Sequence, residues 1–122
     1  MNAPSRLTNI FAWVLSAAAA AVFIMFGAKK LLSDPYMVEV FAKVGFGQWF
    51  RVLTGALEVG GGLALLVPRF AAPAASMLAV VMVGATIAHL TRLGGSPVPA
   101  IVLCLACLTI AWLRRGAMRK PA

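Results

Sequence analysis

Glu58 is the residue of this chain with the clearest potential for chemistry, because it lies within a long apolar stretch. It is about eight residues into that stretch, which places it roughly 12 Å along a helix. A carboxylate at that depth in hydrocarbon must be paired with a cation or protonated, and such residues often mark binding sites or proton pathways. Arg51 precedes Glu58 by seven residues, or two helical turns, and shares its helix face. We therefore interpret both as parts of one polar site.

Further polar residues join this site if the chain forms four membrane-spanning helices. Lys29 or Lys30 ends the first apolar run, and His89 lies near the end of the third. Because successive spans alternate in direction, these residues belong to the same leaflet as Arg51. The cluster has two interpretations. It is either a buried network that only fixes helix register, or a cavity open to the outer leaflet that binds a polar headgroup, a quinone or a proton.

Cys104 and Cys107 form a second candidate site, because a spacing of three residues puts both thiols on one helix face. Such a pair could act as a dithiol–disulfide couple or bind a soft metal ion. The chain has no other cysteine to deliver electrons, and the apolar neighbours favour unreactive thiols. We prefer core packing as the interpretation and keep a redox pair as the alternative.

The composition indicates that the bilayer is the solvent of this chain. Of the 122 residues, 62% are hydrophobic and 11% are charged, and the mean hydropathy is +0.96. Soluble domains are much less hydrophobic. The net charge of +8 comes from basic residues at the ends of apolar runs, which indicates lipid headgroups as partners and not nucleic acid. With one histidine and no glycine-rich strand-to-helix turn, no metal site, phosphate loop or nucleophile triad is expected.

The elements that position these residues are predicted to be helices, in a single transmembrane domain covering residues 1–122. A span needs about 20 mostly apolar residues. Four stretches qualify, over residues 10–28, 50–67, 72–90 and 98–113. Asp34 and Pro35 start a short amphipathic helix over residues 35–44, which is expected to lie in the membrane interface. The predicted fold is all-α, an integral membrane four-helix bundle with a short interfacial amphipathic helix between helices one and two.

The basic residues also predict the orientation in the membrane. If Arg51 lies inside the bundle, six basic residues remain on the side of the two termini and four on the other side. Positive residues concentrate in the cytoplasm, so we expect a multi-pass protein of the bacterial inner membrane with both termini cytoplasmic. The cluster that follows the last span would draw that end to anionic lipid. Its members are Arg114, Arg115, Arg119 and Lys120.

Short motifs in helices one to three occur in a distinctive order. Residues 27–31, GAKKL, close helix one, and helix two opens with Arg51, Gly55, Glu58 and Gly61 at spacings of four, three and three. The stretches LLVP at residues 65–68 and MVGA at residues 82–85 follow, with His89 after them. Over about residues 26–90 this order resembles the DoxX-like family of small four-helix membrane proteins.

This resemblance implies a shared polar site at Lys29, Arg51, Glu58 and His89, with Glu58 as a buried acid and Arg51 and Lys29 as its counter-charges. The family includes membrane subunits of quinone-linked sulfur oxidation and of oxidative-stress redox complexes, and distant relatives act in membrane-protein maturation. The function implied is an accessory or quinone-binding subunit of a membrane redox system, not an enzyme on its own. A quinone is the cofactor expected, and a membrane or redox protein the partner.

Two alternatives remain open. One is a non-enzymatic assembly factor or lipid-binding module, and the other is a thiol oxidoreductase that uses Cys104 and Cys107, a pair outside the family pattern. A channel or carrier would require a homo-oligomer, because a single bundle with few polar groups lacks a water-filled path.

Overall fold

A computed structural model describes residues 5–117, and every regular element in that range is a helix. The helices are α1 Arg6–Leu31, α2 Pro35–Val44, α3 Gln48–Leu65, α4 Pro68–Ala88 and α5 Val98–Arg114. Helix α4 continues into a π-helical turn over His89–Leu93. The all-α prediction is confirmed for this part of the chain. Arg119 and Lys120 of the basic cluster lie outside it.

Two helical segments are long and apolar enough to cross a membrane. They are α1 and the continuous segment Pro68–Leu93, each of 26 residues. Helix α5 is apolar but has 17 residues, and α3 carries Arg51 and Glu58 within its 18 residues. Within the described residues, two of the four predicted spans are thus long and apolar enough to cross a membrane. A bundle of four spans stays a prediction.

The boundaries differ from the predicted ones where proline and serine act as helix starts. Helix α4 begins at Pro68 and not near residue 72, because proline fits the first helical position, where no N–H partner is needed. Only Leu66 and Val67 then connect α3 to α4. Helix α1 begins at Arg6 and not near residue 10, because Ser5 Oγ accepts a hydrogen bond from the backbone N–H of Thr8.

The four longer helices pack side by side. Helix α1 contacts α3 and α5, and α4 contacts the same two helices. The core between them consists largely of alanine, with a few large side chains such as Phe23, Leu65, Leu78 and Ile110. Small residues allow close approach of helix backbones, which stabilises helix pairs where lipid provides no hydrophobic drive. The short helix α2 contacts α3 and the π-helical turn, so it covers the end of the bundle where α1 ends.

Helices α1 and α3 approach closely at Gly27 and Gly55. A Cβ atom added to either glycine would lie 2.9 Å from the carbonyl oxygen of the other. Cβ atoms essentially never come so close to other heavy atoms, so only glycine fits at these positions. The two backbones are therefore in direct contact just before the end of α1, where Lys30 lies.

Candidate ligand-binding site

Lys30 and Glu58 form a buried ion pair between α1 and α3. Lys30 Nζ lies 2.9 Å from Glu58 Oε1, and the two side chains are 12% and 3% exposed. Each residue follows a contact glycine by three positions, Lys30 after Gly27 and Glu58 after Gly55, so each projects from the face on which the helices meet. Glu58 therefore has a counter-charge within a mostly apolar environment, which offsets the cost of burying it.

The counter-charge of Glu58 is Lys30 and not Lys29, the residue to which the resemblance assigned that role. Lys29 is exposed, and its Nζ lies 5.5 Å from the centre of the Phe26 ring. The difference follows from helix geometry, since Lys30 is three residues after Gly27 and shares its face, whereas Lys29 is only two residues after it.

Arg51 is buried, as expected, but its partners are not those predicted. Its Nε donates to Gln48 Oε1 at 2.8 Å, and its Nη1 donates to the backbone carbonyl of Lys30. Arg51 thus satisfies a carbonyl at the C-terminus of α1, where helical carbonyls lack partners. Its role in the structure is to hold the backbone that carries Lys30, while the carboxylate of Glu58 pairs with the Lys30 ammonium.

Gln48 is a residue of this region that the sequence analysis missed. Its amide nitrogen donates to the backbone carbonyl of Val38 at 3.0 Å, and its amide oxygen accepts from Arg51. It therefore links α2 to α3. The available signal was its position three residues before Arg51, on the same face of α3.

A cavity of about 1000 Å³ lies at this end of the bundle. Lys30, Glu58 and His89 all line it, and most of the remaining wall is apolar. The structure therefore brings these three residues to one space. Lys29, Arg51 and the two cysteines are not among its lining residues.

Aromatic side chains of α2, of the α2–α3 connection and of α3 form one wall of the cavity. Phe50 makes edge-to-face contacts with Phe41 and Phe46, with ring centroids 6.0 and 5.5 Å apart. All three rings line the cavity. Edge-to-face pairs of this kind add to the stability of the packing, so they hold α2 over the cavity.

His89 begins the π-helical turn at the end of α4. Its Nδ1 lies 2.9 Å from the carbonyl oxygen of Ala85, which can only accept, so Nδ1 carries the hydrogen of this bond. The second ring nitrogen, Nε2, is then the one left for a ligand or a proton. A π-helical turn is a frequent feature of functional sites.

Cys104 and Cys107 lie on α5, and neither lines the cavity. Cys107 is fully buried in the hydrophobic core, and Cys104 Sγ donates to the carbonyl of Ala79 at 3.7 Å. Both are free thiols. Packing accounts for both positions.

The packing role of Cys107 can be tested by substitution. Cys107→Ser should lower the free energy of unfolding by about 1–3 kcal/mol, because a polar hydroxyl replaces a fully buried thiol in the hydrophobic core. Cys107→Ala should cost less, since it only removes one atom from the core. Unfolding in mixed micelles measures both. A thiol oxidoreductase would instead lose its activity in both variants, whatever their stability.

Over residues 5–117, the fold and the cavity together define an all-helical protein with two candidate membrane spans and a buried ion pair at a mostly apolar site. The sequence profile of the DoxX-like family matches residues 14–113, and the chain belongs to that family. The resemblance seen in the sequence is thereby confirmed. The matched range includes Lys30, Glu58 and His89.

The chain also has a relative in Bacillus subtilis (strain 168). The protein is 35% identical over 99 residues to the uncharacterized protein YdgD of Bacillus subtilis (strain 168). This alignment covers 75% of the present chain and 87% of YdgD. No solved structure matches the chain.

Proposed function

We propose that this protein is an accessory subunit of a membrane redox system and that it binds a quinone headgroup in the cavity of Lys30, Glu58 and His89. The observation that supports this most is the cavity itself, about 1000 Å³ with an ion pair and a histidine on a mostly apolar wall. Small-molecule sites commonly measure roughly 300–1,000 Å³ and combine apolar walls with a few polar groups. The protein is not an enzyme on its own in this proposal.

The lining residues match the chemistry of a quinone. A bound quinone would supply two-electron redox chemistry, and its carbonyl oxygens accept hydrogen bonds. The ammonium of Lys30 can donate to such an oxygen, and His89 can donate or accept a proton through Nε2. Glu58 holds Lys30 in place and can carry a proton itself. The apolar and aromatic walls suit the ring and the first part of an isoprenoid tail.

The membrane arrangement that goes with this function is four spans, formed by α1, α3, α4 and α5. Helix α5 supports this arrangement because its large apolar side chains are exposed, with Leu105 at 58% and Leu108 at 52%. Large exposed apolar surfaces of this kind suit contact with lipid. An even number of spans keeps both termini on one side, and the distribution of basic residues favours the cytoplasm for that side when Arg51 is counted inside the bundle.

Native mass spectrometry of the detergent-purified protein with an added short-chain quinone tests the proposal. The wild-type chain should retain one quinone, and Glu58→Gln should weaken its binding by at least about tenfold, because Lys30 loses the anion that positions it. Asp34→Asn is the matched control, since Asp34 is an acidic residue outside the cavity lining, and it should bind as the wild type does.

Two results would decide against quinone binding. If Glu58→Gln and Asp34→Asn bind the quinone equally well, the cavity residues do not hold it. If a phospholipid occupies the wild-type cavity, is lost in Glu58→Gln and is not displaced by quinone, the lipid-binding or assembly function replaces the redox one.

A further inference from the structure

Arg114 is a buried charged residue at the end of the bundle opposite the cavity. It is the last residue of α5, yet only 6% of its surface is exposed. It packs against the start of α1, where its Nη1 donates to Asn9 Oδ1 at 2.9 Å. Asn9 precedes Lys30 by 21 residues on α1, which corresponds to about 30 Å. The Arg114 region is therefore separate from the cavity of Lys30, Glu58 and His89.

The guanidinium of Arg114 has one edge without a partner. Its Nε and Nη2 are both buried, and neither donates a hydrogen bond to any atom in the part of the chain that the structure describes. These two N–H groups are parallel donors on one side of the planar group, an arrangement that matches two oxygens of a phosphate or carboxylate. A buried cation with two unused donors is costly, so the arrangement suits an anion whose oxygens accept from both of them.

The surroundings favour phosphate as that anion. Arg115, the next residue, stacks on Trp112 with its guanidinium carbon 3.6 Å from the ring centre. The guanidinium carbon of Arg114 lies 5.2 Å from the centre of the Trp13 ring, and Trp13 is 40% exposed. Tryptophan is enriched at the level of lipid headgroups, so this end of the bundle lies where phosphate is the abundant anion.

We infer that Arg114 binds a phosphate group through Nε and Nη2, with Asn9 orienting the guanidinium from the other side. Because Nε and Nη2 are both buried, phosphate binding requires a local rearrangement of the side chains that cover them. The source of the phosphate is either an anionic phospholipid or free inorganic phosphate.

Binding to delipidated protein in detergent separates these sources. Phosphatidylglycerol and inorganic phosphate are added separately to the wild type, Arg114→Gln, Arg114→Lys and Arg115→Gln, and bound ligand is counted by native mass spectrometry. We expect phosphatidylglycerol to bind the wild type, with a loss of at least about tenfold in Arg114→Gln. Arg115→Gln, which removes one charge from the adjacent residue, should stay within about twofold of the wild type.

Arg114→Lys keeps the charge but not the paired donors, so it separates bidentate binding from general attraction. It should also bind at least about tenfold more weakly than the wild type, and phosphatidylglycerol should raise the thermal midpoint of the wild type but not of this variant. Binding of inorganic phosphate with the same dependence on Arg114 would identify the free anion as the ligand. If neither probe binds the wild type, or if Arg114→Lys binds as the wild type does, the inference is overturned.

Discussion

Lys30→Met should lower the free energy of unfolding by about 3–5 kcal/mol, because it leaves the 3% exposed carboxylate of Glu58 without its partner. Unfolding in mixed micelles at neutral pH measures the effect. Adding Glu58→Gln should recover much of the loss, since the double variant buries no charge at this position. The non-additivity of the two substitutions then reports the coupling within the pair.

Lys29→Met is the matched control for this experiment. It removes the same charge from the adjacent residue, which is exposed and has no carboxylate partner within the described residues. Its effect should stay within about 0.5 kcal/mol. Equal effects of Lys29→Met and Lys30→Met would show that the ion pair with Glu58 does not contribute to stability.

Gly55→Ala is the second substitution for which we expect a large effect. Its Cβ would lie 2.9 Å from both the Gly27 carbonyl oxygen and Lys30 Cβ, so α1 must move away from α3. The variant should be less stable by about 1–3 kcal/mol. Since the displaced segment carries Lys30, quinone retention should fall as well.

Gly60→Ala provides the comparison within the same helix. A Cβ at Gly60 has no neighbour within 4 Å, so the substitution should be neutral or should stabilise α3 by up to about 1 kcal/mol. Thermal unfolding of the two variants in one detergent gives the contrast directly. A Gly55→Ala variant as stable as Gly60→Ala would contradict the close contact of α1 and α3.

The helices and the polar positions could be predicted from the sequence because they depend on local patterns. Apolar runs of span length and the Asp34-Pro35 start predicted helices, and the isolated charge of Glu58 identified the polar site. The partner of Glu58 could not be predicted with the same success, because it depends on how α1 is rotated against α3. The spacing of Gly27 and Lys30 on one face was the signal that favours Lys30 over Lys29.

Contacts between distant parts of the chain could not be predicted from the sequence. Arg114 and Arg115 belong to one basic cluster in the sequence, yet the two side chains differ in environment, because Arg114 faces α1 and donates to Asn9. The link from Gln48 to the Val38 carbonyl likewise depends on how α2 packs against α3. Side-chain partners more than a few turns apart are fixed by tertiary packing and not by local periodicity.

The two-residue connection between α3 and α4 has a consequence for biosynthesis in the proposed four-span topology. Leu66 and Val67 leave no room for a loop, so α3 and α4 must enter the bilayer together as a helical hairpin. A single charge at a helix centre opposes insertion by about 2.5–3.5 kcal/mol, and α3 carries Glu58 near its middle and Arg51 in its first turn. The apolar side chains of α4 offset this cost when the hairpin inserts. Helix α1 is synthesised before the hairpin, so Lys30 is available to pair with Glu58 during insertion.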